Sequence, residues 1–442
     1  MKKGGFLENL SWTLIAKITQ LVAQTLVGMF VGRYLGPDGS GTINYVAAFV
    51  TFATSVVSLG VSGVIVNDLC KHKDDGAVII GSVMRVQAAI GVVAAAFVVI
   101  IVSILGNGHV ENAANVNFTV IAIAESISLI VGFGATIGYW FQANQLMKKA
   151  AIIQLISQLI VVLYKTTLLI CKAPVYWFAF SVSLEAISLL VIYMVVFRQH
   201  EKRKLEYNKQ VVNRILKASA PFLVADMMIF LYQKMDTVML GYMLNAKTVG
   251  YYSAAMVIAN MWSLIPAAFL NVMRPLVIEN KEKDEALYKK HMTEMFSGLI
   301  YVALPFSLMM TFLGKYVIWI LYGSEFIPGA DALKIIVWYC AFSYIGGGRS
   351  VYLICENKNK YVTVFCAWGA VANAVLNVLL IPRYGMIGAA VATLLTQIIA
   401  NLIIPALYKE TREYVGYVLK GMLRVDYVIE DVKLFLDSRK KK

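Results

Sequence analysis

Long apolar runs alternate with short polar connections along the whole chain. Each run is long enough to cross the hydrocarbon core of a bilayer as an α-helix, which takes about 20 residues. Polar residues or Gly/Pro clusters separate the runs, and about twelve of them can be counted. They begin near Ser11, Thr42, Val78, Val116, Ala150, Val175, Ala220, Gly250, Glu294, Asp331, Tyr361 and Met386. The pattern predicts an all-α, polytopic membrane protein.

The composition indicates that lipid is the main solvent of this chain. Hydrophobic residues make up 59% of the 442 positions and charged residues 15%, a balance that a water-soluble domain of this size could not bury. The first run is too long for a signal-peptide core and carries Lys17, so we expect a retained first span. The cysteines show no CxxC spacing and the histidines stand alone, so the sequence predicts no metal site.

Lysine and arginine concentrate in every second connection. The longest basic connection covers residues 198–218, whereas the intervening connections carry few cations, such as Arg33, Lys172 and Lys247. The positive-inside rule therefore places both termini in the cytoplasm and predicts an even number of spans. We attribute the net charge of +14 to this topology, and we predict no nucleic-acid partner.

An internal repeat divides the predicted spans into two sets of six. An offset of 209 residues lays Gln24, Gly32, Leu35 and Gly41 on Gln233, Gly241, Leu244 and Gly250. Because six is even, the two halves share one orientation and would enclose a central cavity. We predict a six-helix bundle over residues 1–205, a second over 206–408 and a cytoplasmic, amphipathic, basic tail over 409–442. The apolar residues of the tail recur at helical spacing, at Val415, Leu419, Met422, Val425, Ile429, Val432 and Phe435.

Charged and polar residues inside the predicted spans are the candidates for function. The cations are Lys17, Arg85, Lys165, Lys234, Lys334 and Arg349, and the acids are Glu125, Glu185, Asp226 and Asp236. Each charge costs roughly 2.5–3.5 kcal/mol at a helix centre on insertion scales, so most must face a hydrated cavity, pair or snorkel. Asn373 and Asn377 share a helix face, as do Thr393 and Gln397, which fits either interhelical hydrogen bonds or ligands of a coupling cation. The glycines at 346–348 predict close helix packing or a kink.

Several motifs give the chain a resemblance to a known family. They are RYLGPDGSG at 33–41, YWFQ at 139–142, Asp236 with LG at 240–241, GYYSAA at 250–255, LIPRYG at 380–385 and GAAVAT at 388–393. Jointly, they resemble the signature of polysaccharide-biosynthesis flippases. These are the O-antigen and capsule transporters of the multidrug/oligosaccharidyl-lipid/polysaccharide exporter superfamily.

The resemblance implies a transporter of the bacterial inner membrane that alternates between inward-open and outward-open states. It also implies a polyprenyl-(pyro)phosphate-linked oligosaccharide as cargo. Superfamily members that flip such precursors use cations on certain spans, and Lys17 and Arg33 match this set loosely. Some members bind sodium through an acid on the seventh span and polar groups on the last two. The resemblance thus implies a coupling ion, sodium or proton, at the matching positions Asp236, Asn373, Asn377 and Thr393.

A flippase must move a sugar-phosphate head group through a region where each bare charge and lost hydrogen bond is expensive. A wet cavity lined with cations solves this problem while the prenyl tail stays in lipid. For phosphate contacts we select Lys17 and Lys234, with Arg349 or Arg85. Membrane lipid and the lipid-linked glycan are the expected partners, and a polysaccharide polymerase or glycosyltransferases are further candidates.

Other functions stay open at this point. An ion-coupled multidrug or metabolite antiporter of the same superfamily is the main alternative, but its organic-cation cargo calls for an acidic cavity. Here six cations stand against four acids inside the predicted spans. A membrane-bound polymerase or glycosyltransferase would present a long loop with acidic or histidine chemistry, and the outer connections are too short for one. We therefore predict no enzymatic activity and no cofactor apart from a coupling ion. A scaffold without transport activity also remains an alternative.

Overall fold

The structure, a computed structural model, describes residues 3–110 and 116–424. The side chains of residues 3–18 and of Leu21, Lys73, His109, Ala225, Tyr232 and Leu264 lie outside this description. All regular elements in these two ranges are helical, which confirms the predicted all-α fold class. The α-helices are α1 Lys3–Ser58, α2 Ser62–Lys71, α3 Gly76–His109, α4 Phe118–Val131, α5 Thr136–Ala143, α6 Met147–Ile170, α7 Val175–His200, α8 Lys209–Met243, α9 Ala246–Asn260, α10 Leu264–Lys283, α11 Glu285–Tyr322, α12 Gly329–Cys355, α13 Lys360–Ile398, α14 Ile404–Leu407 and α15 Arg412–Leu423.

Each of the twelve predicted spans coincides with a helical segment. In the described part of the chain, eight segments are long and apolar enough to cross a membrane, and a ninth is α8, bent by 47°. Two of the eight, Val22–Lys71 and Lys360–Leu407, are 50 and 48 residues long; the first contains the later part of the first predicted span and the second span, and the other contains the last two predicted spans. Helix α12 covers the tenth predicted span. The helical pattern thus matches the prediction of about twelve spans, and the predicted cavity between two bundles stays a prediction.

A glycine separates the two spans within each of these long segments. Gly36 interrupts α1 with φ 66° and ψ 179°, and Gly385 interrupts α13 with φ 58° and ψ −137°. A side chain at such backbone angles is strained, so glycine is the residue that permits the break. Both glycines lie in motifs that carry the family resemblance. The structure thus gives these motifs a conformational role.

The chain forms two compact units, unit 1 with residues 1–250 and unit 2 with residues 251–442. The core of unit 1 includes Trp140 and Phe141 of the YWFQ motif, and the Trp140 ring centroid lies 5.1 Å from that of Phe197. The core of unit 2 includes Phe296, Tyr352 and residues of α15. The division at residue 205 predicted from the sequence concerns membrane bundles and stays a prediction.

Two glycines of the internal repeat make a reciprocal contact within unit 1. A Cβ added at Gly41 would lie 1.8 Å from the carbonyl oxygen of Ala246, and a Cβ added at Gly250 would lie 2.0 Å from that of Pro37. The repeat offset of 209 residues relates Gly41 to Gly250 and Pro37 to Ala246. The two connections therefore pack against each other with approximate twofold symmetry. Glycine is needed at both places because backbone touches backbone.

The predicted tail contains the helix α15, but its buried face differs from the predicted stripe. Tyr414, Tyr417, Val418 and Gly421 are buried against unit 2, whereas Leu419 is 52% exposed. Val415 and Met422 of the predicted stripe are partly buried and pack against the same core, so the contact combines part of the stripe with the tyrosine face. The stripe members Val425, Ile429, Val432 and Phe435 lie outside the described residues, and the position of the tail on the membrane surface stays a prediction.

Glu356, which follows α12, joins three segments of unit 2. Its carboxylate accepts hydrogen bonds from Lys281 Nζ and from Tyr288 Oη, the latter at 2.9 Å, and Lys358 Nζ lies 3.7 Å away. Burial alone would raise the pKa of Glu356, but the hydrogen bonds from Lys281 and Tyr288 hold it below its ordinary value. Ionised Glu356 therefore stabilises the fold.

We expect Glu356→Gln to lower the free energy of unfolding in detergent by about 1.5–3 kcal/mol at neutral pH, the usual value of hydrogen bonds to a charged group. Because the pKa of Glu356 is lower in the folded state, its contribution is present above the unfolded-state pKa and is lost as the pH falls through the folded-state value. The stability difference between wild type and variant should therefore shrink in acid. Glu279→Gln, which breaks the exposed pair with Lys283, is the control and should change little. Equal stability losses in the two variants would contradict this prediction.

Candidate functional site

The structure places Arg85 in the first third of α3 and Arg33 inside α1, close to its break. Arg85, near the start of α3, is exposed, donates from Nη2 to the carbonyl oxygen of Leu205 at 3.1 Å and lies 6.0 Å from the ring centroid of Tyr207. It thereby attaches the long basic connection to α3. Arg33 is exposed and precedes the break at Gly36 by three residues. Their assignment as substrate contacts stays a prediction.

Lys234 is an exposed side chain in α8 of unit 1, directly after the point where this helix bends. The bend separates Lys209–Leu231 from Gln233–Met243. Bends of this size free backbone groups from helical hydrogen bonds, and they are common where membrane helices line binding sites. The side chain of Lys17 lies outside the described residues, so the structure does not test whether it approaches Lys234.

Arg349 connects two helices inside unit 2. The side chain is 6% exposed, and Nη1 donates to the carbonyl oxygen of Ala400 at 2.6 Å. The guanidinium carbon lies 5.3 Å from the ring centroid of Phe365, in cation–π range. Ala400 belongs to the π-helical segment Ile399–Ile403, where the backbone departs from α-helical hydrogen bonding. Arg349 thus braces an irregular segment, and its Nε retains a hydrogen without a hydrogen-bond partner.

A buried polar cluster follows α13 and the π-helical segment. Asn377 Nδ2 donates to Asn373 Oδ1 at 3.0 Å, a bond within α13 that places both side chains on one helix face, as the i,i+4 spacing indicated. The hydroxyls of Thr393 and Tyr252 lie 3.4 Å apart. Gln397 pairs with Asn401 through a 2.7 Å bond, which the sequence analysis did not identify. Amide and hydroxyl oxygens of this kind suit hard cations, and the same groups serve as interhelical hydrogen-bond partners.

Asp236 is the acidic member of the predicted ion-coupling set, and it is 2% exposed in α8 of unit 1. The other three members, Asn373, Asn377 and Thr393, belong to unit 2 and are 0–3% exposed. The set is thus buried throughout, as ion ligands in a membrane require. Whether the four residues assemble into one site stays a prediction.

The glycines at 346–348 make room for neighbouring side chains, which confirms their predicted role in close packing. A Cβ at Gly346 would lie 2.7 Å from Asn401 Oδ1, and one at Gly348 would lie 2.5 Å from Cε1 of Phe296. Asn401 also donates to the carbonyl oxygen of Phe342 at 3.1 Å. The glycine triplet therefore lets the polar cluster on one helix reach the backbone of α12.

A charged cluster in unit 1 was not selected from the sequence. Glu125 on α4 is fully buried, and Lys165 on α6 interacts electrostatically with both Glu125 and Glu185, the latter on α7. In the sequence, these residues are visible only as charges within predicted spans. The available signal was the position of each charge inside an apolar helix, Glu125 in α4, Lys165 in α6 and Glu185 in α7.

An apolar recess of about 250 Å³ lies between α1 and α3 of unit 1. Phe49, Phe52, Phe97 and Ile101 contribute to its lining, which contains no polar residue. The Phe97 side chain is 58% exposed. In a bilayer, a recess with these walls accepts a hydrocarbon chain, because polar head groups would lose their hydrogen bonds there.

Two proteins, one named for capsular polysaccharide biosynthesis and the other a probable flippase, are similar to this chain in sequence. The capsular polysaccharide biosynthesis protein CapF of Staphylococcus aureus is 22% identical over 91% of this chain and 99% of CapF. The probable flippase AglR of Haloferax volcanii is 24% identical over 39% of this chain and 37% of AglR. The chain spans less than half the length of two of the relatives that it matches.

Two solved structures share the fold. The lipid II flippase MurJ in an inward closed conformation superposes with a TM-score of 0.69 at 15% identity, over 98% of this chain and 99% of MurJ. An inward-facing multidrug resistance MATE family transporter of the MOP superfamily gives a TM-score of 0.67 at 11% identity, over 91% of this chain and 96% of the transporter. The fold is therefore that of membrane transporters, and the chain is a multi-pass membrane protein.

A family model supplies the remaining evidence. The model described as "Polysaccharide biosynthesis protein" matches residues 6–281, which include the motifs at 33–41, 139–142 and 250–255. More than half of the chain is covered, in agreement with the family resemblance of these motifs. The chain belongs to the polysaccharide biosynthesis protein family.

Proposed function

We propose that this protein is a flippase for lipid-linked saccharides. It moves polyprenyl-(pyro)phosphate-linked oligosaccharide repeat units from the cytoplasmic to the outer leaflet of the bacterial inner membrane by alternating access. The product serves capsule, O-antigen or another cell-surface polysaccharide. The observation that carries the proposal is the family match over residues 6–281 of a chain that has a membrane-transporter fold.

The chemistry of the cargo supports this proposal over transport of an organic cation. A lipid-linked saccharide has an anionic phosphate and a hydrocarbon tail. Lys234 in the bent helix α8, with Lys17, supplies positive charge for the phosphate. The apolar recess beside Phe52 and Phe97 suits a tail that stays in lipid. Outward movement of an anion also gains about 2.3 kcal/mol per charge per 100 mV from an interior-negative potential.

The proposal includes a coupling ion, sodium or proton, held by Asp236 with Asn373, Asn377 and Thr393. Because the membrane potential already favours outward movement of the anion, this ion would mainly reset the empty carrier. Both termini lie in the cytoplasm by the charge asymmetry of the connections. The proposal involves no chemical conversion of the cargo, and a polymerase or glycosyltransferases would act on the saccharide before or after transport.

An ion-coupled multidrug or metabolite antiporter is the second candidate. The shared fold with a MATE family transporter favours it, as does the buried carboxyl group of Glu125. Depletion of the protein in its host separates the two candidates. We expect a lipid-linked oligosaccharide to accumulate on the cytoplasmic side, as detected by mass spectrometry of extracted lipids. Unchanged lipid-linked saccharides together with increased sensitivity to cationic drugs would instead identify an antiporter.

The proposed binding of the phosphate by Lys17 and Lys234 can be tested by charge reversal. We expect the double variant Lys17→Glu, Lys234→Glu to abolish glycan export while the protein remains in the membrane, because two negative charges repel the phosphate. The control is the double variant Lys202→Glu, Lys204→Glu, which makes the same charge change at exposed positions in the connection between α7 and α8. Export should persist in the control. Normal export in the Lys17, Lys234 variant would exclude a phosphate-binding role for these lysines.

A further inference from the structure

Glu125 has an unusual environment in the centre of unit 1. Its side chain is completely buried in α4, and neither carboxyl oxygen has a hydrogen-bond partner. Ser183 Oγ, which could have approached the carboxyl group, donates instead to the backbone oxygens of Ala124 and Glu125, at 2.5 and 3.2 Å. A bare carboxylate without hydrogen bonds at this depth would be strongly unfavourable.

A single cation, Lys165, interacts with two carboxyl groups in this part of unit 1. Lys165 of α6 interacts electrostatically with Glu125 of α4 and with Glu185 of α7. Helix α4 packs against α1, α3 and α7, and α6 packs against α7. Among the described side chains, the charges that act on these three groups are their own: Lys165 on each glutamate, and both glutamates on Lys165.

The charge balance of the cluster calls for one additional proton. With both glutamates ionised, the cluster carries a net negative charge inside the bilayer, whereas one protonated carboxyl group makes it neutral. Buried charges persist only when they are paired, so the neutral arrangement is favoured. Glu125 is the group that takes the proton because it is fully buried and its carboxyl oxygens accept no hydrogen bond, whereas Glu185 is partly exposed and remains the counter-ion of Lys165.

We propose that Glu125 is a proton-binding site of unit 1, and that Lys165, shared with Glu185, sets its occupancy. The ligand is a proton and not a metal cation. A sodium or calcium ion needs several oxygen ligands, and the ammonium group of Lys165 repels a second cation. The site is separate from the ion-coupling set proposed around Asp236. Its existence does not depend on the identity of the transported cargo.

The proton site has a direct consequence for a carrier that changes shape. Neutral Glu125 is compatible with the packed arrangement of α4, α6 and α7. If a conformational change admits water, the carboxyl group can ionise, and it must regain a proton before the helices repack. Proton binding and release are thereby coupled to the packing state of unit 1.

Infrared difference spectroscopy of the full-length protein reconstituted in lipid vesicles tests this proposal without any cargo. A protonated carboxyl group gives a carbonyl band that shifts in deuterated water, whereas exposed carboxylates are ionised at neutral pH. We expect the wild-type protein to show such a band and Glu125→Gln to lose one carboxyl group of intensity. Glu285→Gln, at a side chain that is 75% exposed, is the matched control and should retain the band.

The other members of the cluster give opposite expected results. Glu185→Gln should also lose the band, because Lys165 then has Glu125 as its counter-ion and Glu125 gives up its proton. Lys165→Met should add a second protonated carboxyl group, because neither glutamate keeps a counter-ion. Lys165→Arg keeps the charge and should resemble the wild type.

A spectrum of Glu125→Gln identical to that of the wild type would overturn the proton site. A band of unchanged intensity in both Glu185→Gln and Lys165→Met would overturn the shared counter-ion. Since the experiment contains no saccharide, its failure leaves the proposed transport function intact. Conversely, the depletion experiment can fail while the proton site stands.

Discussion

Replacement of Gly41 by alanine is expected to remove at least about 3 kcal/mol of stability, the upper range for overpacking. The added Cβ would lie 1.8 Å from the carbonyl oxygen of Ala246 and 2.8 Å from the amide nitrogen of Gly250. Both neighbours are backbone atoms, which cannot rotate away as a side chain can. The two connections of unit 1 would have to separate. Thermal unfolding of the purified protein in detergent measures the loss.

The control for this variant lies in the same helix. Gly28 is also part of α1, and a Cβ there meets no atom within 4 Å. Gly28→Ala has the same intrinsic helix preference as Gly41→Ala, and it should leave stability unchanged or raise it by up to about 1 kcal/mol. Gly250→Ala should be as harmful as Gly41→Ala because the contact is reciprocal. If Gly41→Ala and Gly28→Ala unfold at the same temperature, the proposed backbone contact does not support the fold.

Replacement of Arg349 is expected to have the second largest effect. Arg349→Met removes a charged hydrogen bond to Ala400 and the cation–π contact with Phe365, with an expected cost of about 2–4 kcal/mol of stability. Arg349→Lys keeps the charge but lacks the planar guanidinium group that reaches Ala400 and lies over the ring. We therefore expect the lysine variant to lose almost as much stability as the methionine variant.

This pair of variants separates bracing from phosphate binding. If Arg349 acts only through its charge on a phosphate, the lysine variant should keep both stability and most of the glycan export. If it braces the π-helical segment, export should fall in step with the amount of folded protein in both variants. The structure favours bracing, because the side chain is 6% exposed and its Nη1 is already bonded to Ala400. Full stability in Arg349→Lys would be incompatible with that role.

Motifs that carry the family resemblance turn out to have roles in the fold. Gly36 and Gly385 break long helices at positive φ, Gly41 and Gly250 allow backbone contact, and Trp140 lies in the core of unit 1. These positions were identified from the sequence because they lie in the family motifs, and Gly41 and Gly250 also because the internal repeat aligns them. The sequence could not identify the residues that these positions contact. Residues that lie about 200 positions apart in the chain leave no local pattern when they touch.

The polar residues were more difficult to interpret. The pair Asn373 and Asn377 was found because both residues lie on one helix at i,i+4 spacing. Asn401 was missed because its partners combine one helix neighbour, Gln397, with the backbone of Phe342 on α12. The tail helix shows the same limit. Its aliphatic stripe was visible in the sequence, but Tyr414 and Tyr417 are among the more deeply buried residues of this helix, and Leu419 of the stripe is exposed.

The sequence by itself determined that the protein is all-α and multi-pass, and where along the chain its apolar helices lie. A backbone in lipid must satisfy its hydrogen bonds internally, so each apolar run of sufficient length had to become a helix. Only the tertiary structure decided which buried charges meet. Glu125, Lys165 and Glu185 lie on three different helices, and whether a carboxyl group at bilayer depth faces a cation or nothing at all depends on helix rotation and packing. Hydropathy determines neither the rotation nor the packing of a helix, because lipid and the protein interior are equally apolar.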